Sequence, residues 1–189
     1  MRFSSNPSSQ RGASMIEVLV TIIILTFGLL GLVGLQTKLQ ASEMEAYQRA
    51  QALVLLQDMA SRIASNRNDA ASYVTAASLG TGDDCPTISG TSTQQEIDAS
   101  EWCNALQGAA ETAGTSKVGA MIGGRGCVES IGSNEYMITV AWQGLGPISA
   151  PPSSVSCGAN LYNGGTNSSC TDDLCRRTVT TIVRIAALI

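Results

Sequence analysis

The chain is predicted to fold as an α+β protein: a long N-terminal helix, transmembrane then amphipathic, packed on a C-terminal antiparallel sheet in a disulfide-stapled head. Three observations predict it. An apolar run without charge at residues 18–35 passes into a helical alternation of apolar and polar residues that lasts to about position 66. Two later segments, "NEYMITVAW" and "RTVTTIVRI", alternate with the two-residue period of a strand. All six cysteines lie beyond the apolar run.

As a helix, residues 18–35 extend about 27 Å at about 1.5 Å per residue. Counted from Ala13, the segment is long enough for a hydrocarbon core of about 30 Å. Val, Ile and Thr are indifferent helix formers in water, and Gly28, Gly31 and Gly34 are worse. In lipid each backbone polar group must bond within the segment, so the helix prevails. The three glycines fit close packing against a neighbouring helix, a loosened helix end, or simply the glycine content of membrane helices. Arg2 and Arg11 precede the run and no acid comes before Glu17, which predicts a cytoplasmic N-terminus with everything after Leu35 on the far side. That topology puts every cysteine in an oxidising compartment. A cleaved secretory signal is disfavoured, because the run continues into a helical pattern with no A-x-A-like junction.

Past Gln36, Leu39, Ala46, Leu53 and Ala60 recur at heptad spacing with Ala50, Leu56 and Ile63 beside them. Lys38, Glu43, Glu45, Arg49, Gln57 and Asp58 fill the other faces, so the helix is predicted to lay that apolar stripe on the head. Residues 66–95 turn to Ala, Ser, Thr, Gly and Asn, which predicts a surface loop with "GTGDDCP" as a turn. Asp83 and Asp84 are adjacent and lack the alternating spacing of a calcium loop, so they are expected to be solvated.

A short helix is predicted over 96–113, with Ala99, Trp102, Cys103, Leu106 and Ala110 on one side. "GCVESI" and "NEYMITVAW", joined through "GSN", predict an antiparallel hairpin in which Tyr136, Ile138, Val140 and Trp142 share the core face. A Pro, Gly and Ser stretch at 143–156 interrupts the sheet. The last segment, 177–188, returns to it with Val179, Thr181, Val183 and Ile185 on one face.

Cys85, Cys103, Cys127, Cys157, Cys170 and Cys175 are an even set, which fits disulfides. "CTDDLC" has a spacing used by some zinc sites, but no second close pair and no histidine accompany it. The local loop closures expected are Cys85 with Cys103, and Cys157 with either Cys170 or Cys175.

Composition narrows the function. The net charge of −4 leaves no basic stripe to neutralise phosphates, which argues against nucleic acid. Histidine is absent, which removes the commonest general base and the commonest transition-metal ligand. No constellation of acids or nucleophiles stands out, so neither catalysis nor a metal or cofactor is predicted.

Glu17 is the feature that composition leaves unexplained. A carboxylate within an apolar helix costs a few kcal/mol on insertion scales and calls for a partner, unless it snorkels to the interface. Cleavage after Gly12 would create an amino terminus at Ala13, four residues from Glu17 and on the same helix face. Amine and carboxylate can meet within one chain, or between neighbouring subunits, where they would also set axial register.

"RGASMIEVLV" resembles the cleavage region of type IV prepilins and pseudopilins: a short basic leader ending in Gly, an apolar helix, and Glu at the fifth mature position. The resemblance implies that prepilin peptidase cuts between Gly12 and Ala13, that the Ala13 amine is methylated, and that Glu17 forms the assembly salt bridge. Ala13 stands where major pilins usually carry Phe, and Gly34 where they carry Pro, which implies a minor subunit. "EVLVTIIILTFGLLGLVGLQ" is similar to the helix of PilV-type minor pilins, and "EWCNAL", "GCVESI", "YMITVAWQG" and "RTVTTIVRI" agree with that family in order.

The chain is therefore expected to divide into a leader (1–12), a transmembrane half-helix (13–35), an amphipathic half-helix (36–66) and a globular head (67–189). The expected partners are other minor pilins, the major pilin, prepilin peptidase, the inner-membrane assembly machinery and a tip adhesin. The implied role is priming of type IV pilus assembly from a tip complex that supports twitching motility and adhesion. The implied location is the bacterial inner membrane, with the head periplasmic, and then the extracellular pilus. A minor pseudopilin of a type II secretion system, or a membrane-anchored surface-binding module, is the alternative.

Overall fold

The computed structural model describes residues 14–109, 111–114, 116–119 and 121–186. It has two compact units, Met1–Ser42 and Glu43–Ile189. Helix α1, Met15–Ser65, supplies the described first unit apart from Ser14, and the opening of the second.

In the second unit α1 buries Gln48, Ala52, Leu55, Leu56, Met59, Ala60 and Ile63. The expected heptad stripe is only partly correct. Leu56, Ala60 and Ile63 are in the core, but Ala46, Ala50 and Leu53 are exposed, as is Leu39 in the first unit. Burial follows steps of three and four from Ala52 to Ile63, the period of a straight helix rather than of a coiled-coil seam.

Residues 66–95 are more ordered than expected. Arg67–Tyr73 forms a 3-10 turn that buries Ala70 and Tyr73, and strand β1, Leu79–Gly80, joins the sheet. Helix α2 is Gln94–Leu106. It starts two residues before the predicted point because Thr93 and Glu96 form a reciprocal capping box. It stops well short of residue 113. Gly108 takes a φ of +84°, and a small hairpin follows, β2 (Thr112–Ala113) with β3 (Ser116–Lys117). Ala110, expected on the α2 face, lies outside the described residues.

The main sheet adds β4 (Arg125–Gly132), β5 (Glu135–Gln143) and β6 (Arg176–Arg184) to β1 in the order β1-β4-β5-β6, with every neighbouring pair antiparallel. Strands β4 and β5 form the predicted hairpin, with Asn134 in the turn at a φ of +59° and a register shift between Ser130 and Gly132. Strand β6 pairs with β5 without a break from Glu135↔Arg184 to Gln143↔Arg176.

Alternation divides the sheet into two faces. Tyr136, Ile138, Val140 and Trp142 join Val128, Trp102, Leu106 and the buried side of α1 in the main core. On the reverse face Cys127 and Ala141 cluster with Cys157 and Tyr162.

Three disulfides staple the head: Cys85–Cys103, Cys127–Cys157 and Cys170–Cys175. The first is as expected. Cys157, however, does not bond to Cys170 or Cys175. It crosses to Cys127 of β4 and ties the 144–175 excursion to the reverse face of the sheet, while Cys170 and Cys175 close the turn before β6. "CTDDLC" is thus a disulfide loop and not half of a zinc site.

Trp102 shows why β4 carries glycine. Its indole N–H donates to the Leu55 carbonyl at 2.9 Å, and its six-membered ring covers Gly126 so closely that a Cβ there would overlap the ring. Gly126→Ala should cost about 2–3 kcal/mol by overpacking. Gly90→Ala, where a Cβ would meet nothing within 4 Å, should be near neutral. Equilibrium urea unfolding of the two variants checks the contrast.

Candidate functional site

The site predicted from sequence is the start of α1. Gly12 and Ala13 lie outside the described residues. Glu17 stands in the first turn of α1, exposed, with its N–H bonded to the Ser14 carbonyl at 2.9 Å. A carboxylate there is favoured by the unpaired N–H groups and positive dipole of a helix start. It is the only charged residue from Ser14 to Thr37.

The helix after it is built for an apolar surrounding. An 18-residue window of α1 has a mean hydropathy of 2.7 with none of it buried, enough by length and composition to cross a membrane. Its hydroxyls are satisfied within the helix: Thr21 donates to the Val18 carbonyl, Thr26 to Ile23 and Thr37 to Gly34, at 2.8 to 3.0 Å. A Cβ at Gly28, Gly31 or Gly34 would meet nothing within 4 Å, so no crowding within the chain requires glycine at these positions.

The head carries a polar cluster that sequence reading missed. Arg62 on α1 contacts Asp58 at 2.9 Å, and on α2 it contacts Asp98 at 2.8 Å and Glu101 at 2.7 Å. Asp98, only 4% exposed, also accepts from the Tyr73 hydroxyl at 2.5 Å and from Gln94 at 3.0 Å. Burial opposes the charge on Arg62, but hydrogen bonds to Glu101, Asp58 and Asp98 outweigh it and hold the guanidinium protonated. This is a structural clamp between α1, α2 and the 3-10 turn. The spacing of Asp58 and Arg62 was a visible signal for one of its links, an i, i+4 pair. The link to Asp98 depends on how the two helices meet.

Asp83 and Asp84 are exposed, as expected, and line a surface pocket that Tyr73 of this clamp also borders. Among the described residues, no group of three or more His, Cys, Asp or Glu could hold a metal ion.

A family model described as the prokaryotic N-terminal methylation motif matches residues 7–33. The chain therefore carries the type IV prepilin-like signature, and Glu17 and the apolar run as far as Val33 lie within it. No curated protein and no solved structure matches the chain. The motif supports a pilin or pseudopilin and, with the fold, points to a structural subunit rather than an enzyme. It implies processing by prepilin peptidase and assembly with pilus components. Together with the apolar helix it supports anchoring in a membrane before assembly.

The clamp predicts an alkaline transition. Burial, and then the bond to Asp98, push the Tyr73 hydroxyl from 10.0 up to about 12. The folded chain keeps a proton that the unfolded chain releases above pH 10, so the stability from this group is intact below pH 10 and lost between pH 10 and 12. Tyr73→Phe should flatten part of that decline while costing about 1–2 kcal/mol at neutral pH for the lost bond. Urea unfolding across that pH range measures both effects.

Proposed function

We propose that the chain is a minor pilin of PilV type that primes type IV pilus assembly, with its head in a tip complex supporting twitching motility and adhesion. The carrying observation is the placement of Glu17 five residues past Gly12, inside the matched segment, as the one charge on a membrane-length helical stretch that runs to Thr37. On this reading residues 1–12 are a cytoplasmic leader, removed by prepilin peptidase between Gly12 and Ala13. Residues 13–35 hold the chain in the inner membrane, 36–66 continue the helix, and 67–189 form a periplasmic head.

After the cut, the methylated amine of Ala13 and the carboxylate of Glu17 neutralise each other between adjacent subunits. Each charge would be costly alone in a filament core. The exposed side of α1 supports the same reading. Leu39 in the first unit, and Ala46, Ala50, Leu53 and Val54 in the second, leave apolar surface on a helix that neighbouring subunits would cover. The partners on this reading are other minor pilins, the major pilin, the inner-membrane assembly machinery and a tip adhesin. A minor pseudopilin of a type II secretion system shares the N-terminal motif, and genomic neighbours separate the two.

Intact-mass and N-terminal peptide spectrometry of the mature chain from its host membrane should find a start at Ala13 bearing one methyl group. An uncut Met1 start, or cleavage after Leu35, would sink the pilin reading. Glu17→Ala should still insert and be cut but be depleted from sheared filaments relative to the membrane fraction. Normal incorporation would show that the charge pair is dispensable.

A further inference from the structure

Four segments of the head ring one pocket: helix α1, residues 73–79, residues 83–86 and helix α2. Its volume is about 340 Å³. Cavities of about 300–1,000 Å³ are the usual size of small-molecule sites. The wall is mostly apolar. Met59 and Tyr73, 1% and 2% exposed, lie innermost, with Val74, Leu79, Pro86 and Ala99 around them. The Tyr73 hydroxyl is already taken, since it donates to Asp98 and accepts from Asn66.

Charge enters only at the rim, where Asp83 and Asp84 border the pocket and are exposed. Among the described residues neither carboxylate makes an ion pair or accepts a hydrogen bond. Two cations stand beside this turn, and both are committed elsewhere. Lys117 donates to Asn104 and Gln107, both at 2.6 Å. Arg125 lies over the Tyr162 ring, 5.0 Å from its centroid, and donates to the Gly123 carbonyl.

We propose that this pocket binds a small organic cation, an amine or guanidine carried on a compact apolar body. The body displaces water from Met59 and Leu79, and burial of that surface supplies most of the affinity. The cation stays at the rim and keeps part of its hydration, so it meets the carboxylates without the cost of full desolvation. An anion of the same shape is repelled by both acids, and a neutral molecule gains only the apolar contact. Because separate segments ring the pocket, it takes one compact guest rather than a length of extended chain. At about 30 Å³ per water its volume is that of about eleven waters, room for the whole of such a molecule.

The test uses the full chain in phosphatidylcholine nanodiscs, with isotope-labelled methionine methyls and the Met59 signal assigned by Met59→Leu. Phenethylammonium is the probe, because its ring current reports contact with Met59 directly. It should shift the Met59 methyl saturably, with a Kd of about 1 mM, and leave Met121 of the same core unmoved. Phenylpropionate, similar in shape and opposite in charge, should bind at least about tenfold more weakly. Asp83→Asn combined with Asp84→Asn should weaken the ammonium about fivefold, with the other methionine signals in place as evidence of fold. Raising the salt from about 0.05 to about 0.5 M should weaken it in the unaltered chain too, a reading that needs no variant. No saturable shift at Met59, equal affinity for ammonium and carboxylate, or an ammonium affinity indifferent to both salt and the Asn pair overturns the proposal. A capped Gly-Phe-Lys-Gly peptide that binds at least about tenfold more tightly than phenethylammonium would name a protein segment as the occupant and overturn the choice of a small cation. Neither Gly12 nor Glu17 enters this readout, so the pilin reading stands or falls apart from it.

Discussion

Trp102 joins three elements at one point. Its N–H reaches the Leu55 carbonyl of α1, its backbone belongs to α2, and its ring lies on Gly126 of β4. The head is poor in aromatics and rich in small residues, so few side chains can span helix and sheet. One fully buried indole therefore carries much of the contact area that fixes how α1, α2 and the sheet come together. The rest of the core, from Met59 and Ile63 on one side to Ile138 and Val140 on the other, closes around that junction.

Polar groups and cross-links hold what the aromatic contact aligns. The clamp of Arg62, Asp98 and Tyr73 locks the end of α1 to the start of α2, where the 3-10 turn leaves. On the reverse face Arg176, almost fully buried, pairs with Asp173 and donates to the carbonyls of Val155 and Cys157. The long excursion between β5 and β6 is thereby tied down by one guanidinium and one disulfide rather than by a core of its own. Loops of that length stay ordered only when their backbone groups find such partners.

How far the sequence foretold this depended on how local each signal was. The apolar helix, the hairpin around Asn134 and the return of β6 rest on period and turn chemistry, and these were legible. The Thr93–Glu96 spacing carried a signal for the α2 start that the reading missed by two residues, and Ala110, in helical step with Leu106, drew the predicted helix too far. The buried face of α1 was not legible beyond Leu56, Ala60 and Ile63. From Ala46 to Ala60 nearly every helical face carries apolar or small residues, so two stripes compete and tertiary contact decides. The outcome buries Gln48, with neither end of its amide hydrogen-bonded, and leaves Leu53 and Val54 outside. The Cys127–Cys157 bond was hidden for a similar reason, since it spans the sheet's reverse face and not a turn. At the N-terminus the situation reverses: Gly12, Ala13 and Glu17 form a purely linear signal, readable without any fold.

The disulfide pattern has a consequence for how the chain matures. Numbered in order, the first cysteine bonds to the second, the third to the fourth and the fifth to the sixth. A head that reaches the oxidising side in chain order, from its α1 end onward, would present each odd cysteine with its native mate as the next thiol to arrive. An oxidant that links thiols in order of arrival would thus yield the native set with no bond to undo. Oxidation in step with delivery would then bypass the slow exchange of misplaced sulfurs.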